Sequence, residues 1–154
     1  MYNHAPHNYK CPICIALDGK ENDDTLIRQS DIVYKDSLVT AFISSFFIGK
    51  NLGHVIIVPN KHFENIYDLP SEYSFRITEV AQKMAIAIKK SYSAEGITTV
   101  QNNEPAANQH AFHYHLHIFP RYENDELHKN MLDKKPTTLE ERLPYAEKLK
   151  VELV

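Results

Sequence analysis

The sequence predicts an α+β fold, an antiparallel sheet of about five strands packed with one long helix and followed by a C-terminal helical segment. Two observations carry that expectation. Short β-rich runs lie before and after a single long stretch of helical periodicity, and hairpin-length links between runs favour antiparallel pairing over a parallel α/β arrangement. Length sets the scale: 154 residues, 43% of them hydrophobic, suit one compact domain that buries roughly 70% of its unfolded surface.

In chain order, residues 1–9 read as an N-terminal tail, 10–122 as the domain and 123–154 as a charged C-terminal extension packed on it. The stretch DIVYKDSLVTAFIS (31–44) holds two β-rich runs separated by Lys35-Asp36-Ser37, a hairpin signal. GHVIIVP (53–59) is an apolar run of strand length closed by proline, as a buried strand would be. After Leu69-Pro70, Ser71 is a candidate cap for a helix in which Phe75, Ile77, Val80, Met84, Ala87, Ile88 and Tyr92 recur at three- to four-residue spacing. Gly96 is its expected stop. ITTVQN (97–102) reads as a further strand, and the polar NNEPAANQH (102–110) as a loop. Past Tyr122 the composition turns charged; Thr138 to Glu141 has a capping-box pattern, and Pro144 is expected to split or restart the helix it opens.

Charge excludes some classes of partner. The 17 Lys and Arg against 20 Asp and Glu give a formal net charge of -3, so no basic field points to nucleic acid or a membrane surface. An anionic ligand would need a local site. MYNHAPHNYK at the start has neither the charge pattern nor the apolar core of a secretory signal, and no run approaches the ~18 apolar residues of a membrane span, so a cytoplasmic protein is expected. The 2 cysteines form Cys11-Pro12-Ile13-Cys14, a spacing compatible with a metal site or a redox pair.

Residues 111–121, AFHYHLHIFPR, place His113, His115 and His117 at alternate positions of an apolar run. Side chains two apart on a strand point the same way at about 6.8 Å intervals, so the three imidazoles would share one face, with Tyr114, Leu116, Ile118 and Phe119 covering the other. Two chemistries suit such a face. Three neutral imidazoles could bind zinc and leave a position open for water; alternatively, one imidazole could attack phosphorus while its neighbours orient it. The phosphorus reading wants nearby donors, and Asn102, Asn103, Asn108 and Gln109 are candidates. The zinc-hydrolase reading wants an acidic second shell, and the local run has no aspartate.

HYHLHIFPR resembles the His-x-His-x-His signature of the histidine triad (HIT) superfamily, including the arginine after Pro120. GHVIIVPNKHFENIYDL (53–69), CPIC (11–14) and AFIS (41–44) resemble its other segments, in the expected order, so the likeness covers about residues 10–122. The resemblance implies a HIT-like fold and a nucleotide hydrolase or nucleotidyl transferase acting at the α-phosphorus of a nucleoside phosphoramidate or dinucleoside polyphosphate. It makes His115 the nucleophile, His117 a phosphate contact, His54 a neighbour holding the nucleophile's ring through a hydrogen-bond relay, and Gln109 a phosphate-holding glutamine. It also implies a structural zinc on Cys11, Cys14, His62 and His113, no organic cofactor, and a homodimer.

Three positions depart from the family pattern. Ser44 stands where many members have an acidic residue for the ribose, and His110 stands where Ser or Thr is usual near the scissile phosphate. The loop Glu104-Pro105-Ala106-Ala107-Asn108 lacks the glycines of relatives. Ser44, Asn102, Gln109, His110, His115 and His117 are thus the expected substrate-binding set. The rival expectations are a nucleotide-binding regulatory protein without turnover and a zinc hydrolase with His113, His115 and His117 as ligands. His4, His7 and His128 are read as tail residues without a role.

Overall fold

The computed structural model describes residues 2–153. A short helix, α1 (Pro12–Leu17), precedes strands β1 (Ile32–Lys35), β2 (Val39–Ile43), β3 (Phe46–Ile48) and β4 (Val55–Pro59). The long helix α2 (Ser71–Tyr92), β5 (Gly96–Gln101) and β6 (Leu116–Arg121) follow, and then α3 (Leu127–Asn130), β7 (Lys134–Pro136) and α4 (Leu139–Glu152). The main sheet has the order β1-β2-β4-β6-β5, every pairing antiparallel, as the sequence predicts. A second, two-stranded sheet of β3 and β7 is an addition that periodicity does not announce. Among the described residues no helix is long and apolar enough to cross a membrane.

The first hairpin turns at Asp36 because its carboxylate Oδ1 accepts the backbone N–H of Leu38 and of Val39, each at 2.8 Å. Arg76 of α2 donates to the other oxygen at 2.7 Å, tying the turn to the helix. The buried stripe of α2 is Tyr73, Ile77, Val80, Met84, Ala87 and Ile88. Phe75 does not belong to it: two residues on from Tyr73, about 200° around the helix, it faces outward at 73% exposure. The helix ends also differ from expectation. Pro70 is the cap residue, with Ser71 the first helical residue, and the stop is Ser93, whose φ of 54° makes the left-handed turn; Gly96 already opens β5.

The C-terminal extension joins the main core. Ala146 and Leu149 of α4 are buried with Val33, Val39 and Val55 of the main sheet and Phe47 of β3. Thr138 and Glu141 form the expected capping box, and α4 then runs unbroken through Pro144, against the expected split. Pro144 lies in the second turn, so only the bond to the Glu140 carbonyl is forgone. Gly53 allows the helix to sit close: its φ is 73°, and a Cβ there would come within 2.3 Å of the Tyr145 ring. The anchor is Arg142, which donates to Asp31 at 2.9 Å, to the Thr137 carbonyl at 2.7 Å and to the Leu26 carbonyl at 3.2 Å. Both charged partners are almost wholly buried.

Removing one half of such a pair strands the other charge. Arg142→Ala is expected to cost ~3–5 kcal/mol of stability, read as a fall in urea midpoint. Lys90→Ala, which removes the exposed contact to Glu152 at 3.7 Å, should change it by less than ~1 kcal/mol.

Candidate functional site

Strand β6 begins at Leu116, so of the three alternating histidines only His117 lies within the strand, paired with Ile56 of β4 and Val100 of β5. His113 and His115 lie in the run leading into it. Tyr114 and Ile118 point into the core beneath α2 as expected. Phe119 does not: two residues on from His117, it shares that face and stacks on the imidazole at 5.6 Å with an interplanar angle of 15°.

His113 parts company with the other two. The ligand atoms of Cys11, Cys14, His62 and His113 all lie within 4.8 Å of one another. The closest approaches are Cys11 Sγ to His113 Nδ1 at 3.4 Å, Cys14 Sγ to His62 Nδ1 at 3.3 Å and Cys14 Sγ to His113 Nδ1 at 3.4 Å. A tetrahedral ion with sulfur at ~2.3 Å and nitrogen at ~2.0 Å needs S···N separations of about 3.5 Å, so these four residues could hold a metal ion. His113 Nε2 donates to the Pro59 carbonyl at 2.9 Å, which leaves Nδ1 as the free ligand. The neighbouring Cys14 thiol, and then His113, push Cys11 well below the ordinary thiol range. His113 faces the cysteines and not His115 and His117, which does not favour the three-histidine metal site: among the described residues Cys11, Cys14, His62 and His113 are the one group that could hold a metal ion, and it excludes His115 and His117.

The remaining imidazoles form a row, His115 to His117 at 4.9 Å between ring centroids and His117 to His54 at 5.5 Å. His115 Nδ1 donates to the His113 carbonyl at 2.7 Å, so Nε2 carries the lone pair. His54 is enclosed, 4.3 Å from the Phe119 ring, and its Nδ1 has no hydrogen-bond partner. Among the described residues no hydrogen bond joins the His54 ring to His115, against the expected relay: His54 neighbours His117, which in turn neighbours His115. Burial pushes all three rings toward the neutral form, His54 to about 3 and His117 well below its ordinary value, with His115 also lowered.

The row lines a cavity of about 690 Å³. Ile13, Ile27 and Phe42 form one apolar wall, while Asn102, Asn108 and His110 enter from the β5–β6 loop. Ser44 also lines it, although its Oγ already accepts the Phe46 N–H at 3.2 Å. Gln109 does not: its Nε2 donates to the Glu64 carbonyl at 2.6 Å and its Oε1 accepts the Glu104 N–H at 2.6 Å, so the amide builds the loop. That loop takes glycine-like conformations without glycine, Glu104 at φ 69° and Asn108 at φ 66°, and Gln109 is what holds the strained Glu104 in place.

A family model for the HIT domain matches residues 27–124. The chain belongs to the HIT family. Among curated relatives of this HIT protein, "Protein hit" of Bacillus subtilis is 38% identical over 90 residues, 58% of the present chain and 61% of its own length. A bis(5'-adenosyl)-triphosphatase of Dictyostelium discoideum is 29% identical over 122 residues, 75% of this chain and 80% of the relative. In three dimensions, a crystal structure of a Hit-like protein involved in cell-cycle regulation from Bartonella henselae superposes with a TM-score of 0.77 at 29% identity, covering 96% of this chain and 100% of that one.

Among the contributors to the HIT cavity that sequence reasoning did not find are Asp23, Asp24, Phe46 and Lys134. The aspartates sit in a polar stretch without motif. Lys134 lies beyond the 27–124 match, in the charged tail, and only the β3–β7 pairing brings it to the site.

Buried neutral histidines tie stability to pH. Below pH ~6.5 the unfolded chain takes up protons that folded His54 refuses until about 3, so stability should fall across that window by up to ~1.4 kcal/mol per pH unit for each such group. Urea midpoints at pH about 7.5, 6 and 5 should decline for wild type and decline less steeply for His54→Asn.

Proposed function

We propose that this HIT protein cleaves a nucleotide at its α-phosphorus through a nucleotidyl-histidine on His115. The observation that carries the reading is the 2.7 Å bond from His115 Nδ1 to the His113 carbonyl, which leaves Nε2 unprotonated at the wall of a nucleotide-sized cavity. Because burial keeps the ring neutral, it can attack without first losing a proton. Nε2 forms a bond to phosphorus, and the bond from phosphorus to the leaving oxygen or nitrogen breaks with its electron pair, the leaving group then taking a proton. Water attacks the intermediate, the P–N bond to His115 breaks, and the nucleoside monophosphate is released. His117 and the loop amides of Asn102 and Asn108 surround the phosphoryl oxygens, where such a transition state gains most from positioned donors. The name of the Dictyostelium relative supports a dinucleoside polyphosphate substrate; a nucleoside phosphoramidate fits the same chemistry.

Zinc is the metal we assign to Cys11, Cys14, His62 and His113, a closed Cys₂His₂ set in which the ion would be structural and supply no chemistry to the cavity. What these residues do for the reaction is hold the His113 backbone.

The test is AMP release from adenosine 5′-phosphoramidate and from diadenosine tetraphosphate. His115→Ala should lower release by about 10³-fold or more, ~4 kcal/mol of transition-state stabilisation, with zinc per chain unchanged. Tight nucleotide binding without release by wild type would sink the hydrolase reading in favour of a non-catalytic nucleotide-binding protein. Separately, Cys14→Ser should lower zinc content and melting temperature, measured by atomic absorption and thermal denaturation.

A further inference from the structure

We propose that Lys134, brought to the cavity by the C-terminal strand β7, is the cation that pairs with the reacting phosphate of the nucleotide. This deepens the proposed function and rests on it. A phosphoryl group carries negative charge into the site, and the His54 and His115 rings there are buried, where the charged imidazolium form is disfavoured. A fixed positive charge is therefore needed, and among the described residues lining the cavity Lys134 is the one lysine or arginine.

Its placement is built. β7 pairs with β3 in a register that sets Lys134 opposite Ile48, and both Ile48 and Phe46 of β3 line the same cavity. The Lys134 ammonium lies 5.3 Å from the centre of the Phe46 ring, a cation–π contact that holds it at the wall. Among the described residues no carboxylate comes within ion-pair distance of it. Lys134 lines the same cavity as His115 and His117, the two rings at which the phosphate would sit.

Charge also gives the ligand a direction. Asp23 lines the cavity beside Leu26, Ile27 and Ile13, with Asp24 next to it paired to Lys10 at 3.1 Å. A phosphate is repelled there and attracted to the β3–β7 wall, so the base takes the apolar slot and the phosphate faces Lys134.

Calorimetry with adenosine and AMP reads the contact without requiring turnover. Wild type should bind AMP at least tenfold more tightly than adenosine; Lys134→Met should remove that advantage while leaving adenosine affinity unchanged, and Lys134→Arg should keep it. Lys135→Met, next along β7 and outside the cavity lining, controls for damage to the strand and should leave AMP affinity unchanged. In turnover, Lys134→Met should lower kcat/KM about tenfold for both the phosphoramidate and the tetraphosphate, because the reacting phosphate is common to them. Unchanged AMP affinity in Lys134→Met, or equal wild-type affinity for AMP and adenosine, overturns the proposal. A loss confined to the tetraphosphate also overturns it, by moving the contact to the leaving group. If wild type releases no AMP yet shows the Lys134-dependent preference for AMP over adenosine, the hydrolase reading fails and the phosphate contact stands.

Discussion

The hydrogen bond from His115 Nδ1 to the His113 carbonyl decides which nitrogen of His115 faces the cavity, and its geometry depends on where His113 is held. His113 is held from two sides. Its Nε2 donates to the Pro59 carbonyl at the end of β4, and its Nδ1 stands against the thiols of Cys11 and Cys14. One residue thus joins the N-terminal segment, the central strand and the His115 ring. The Cys–His cluster and the His115 ring are thereby linked, since the backbone carbonyl of His113 accepts the bond from His115.

Burial supplies the second constraint. His54 and His117 keep Nδ1 atoms without partners, and the hydroxyl of Ser45, which lines the same cavity, is likewise unpaired. Unpaired polar groups in a low-dielectric site cost stability, and the surrounding packing of Phe119, Ile56 and Phe42 has to offset them. The same burial keeps the imidazoles neutral, which a nucleophile requires. Strain in the β5–β6 loop follows this pattern: Glu104 holds an unfavourable backbone conformation because Gln109, Tyr67 and His4 all bond to it.

The C-terminal extension serves both the core and the cavity. Through Arg142, Ala146 and Leu149 it closes the side of the sheet that carries α2, and through β7 it walls the opposite, histidine-lined face. The buried Arg142–Asp31 pair fixes where α4 starts, and therefore where the strand before it can lie. The charged extension that the sequence reading packs on the domain is in this way part of the fold.

The sequence by itself determined the sheet, the long helix and the identity of most polar groups at the site, because period-two and period-3.6 burial, turn chemistry at Asp36 and the capping box at Thr138 are local effects. It also brought forward Cys11, Cys14, His62 and His113 as one set through the resemblance, and the structure places them together. Tertiary structure decided what local pattern cannot. Phe75 falls outside the stripe and Phe119 on the histidine face, since a shift of one or two residues in phase reverses a side chain. Gln109 is drawn into its own loop by backbone groups that needed partners. Lys134 reaches the cavity only because β7 pairs with a strand 86 positions earlier, Ile48 opposite Lys134, a contact whose formation depends on the whole intervening chain having folded.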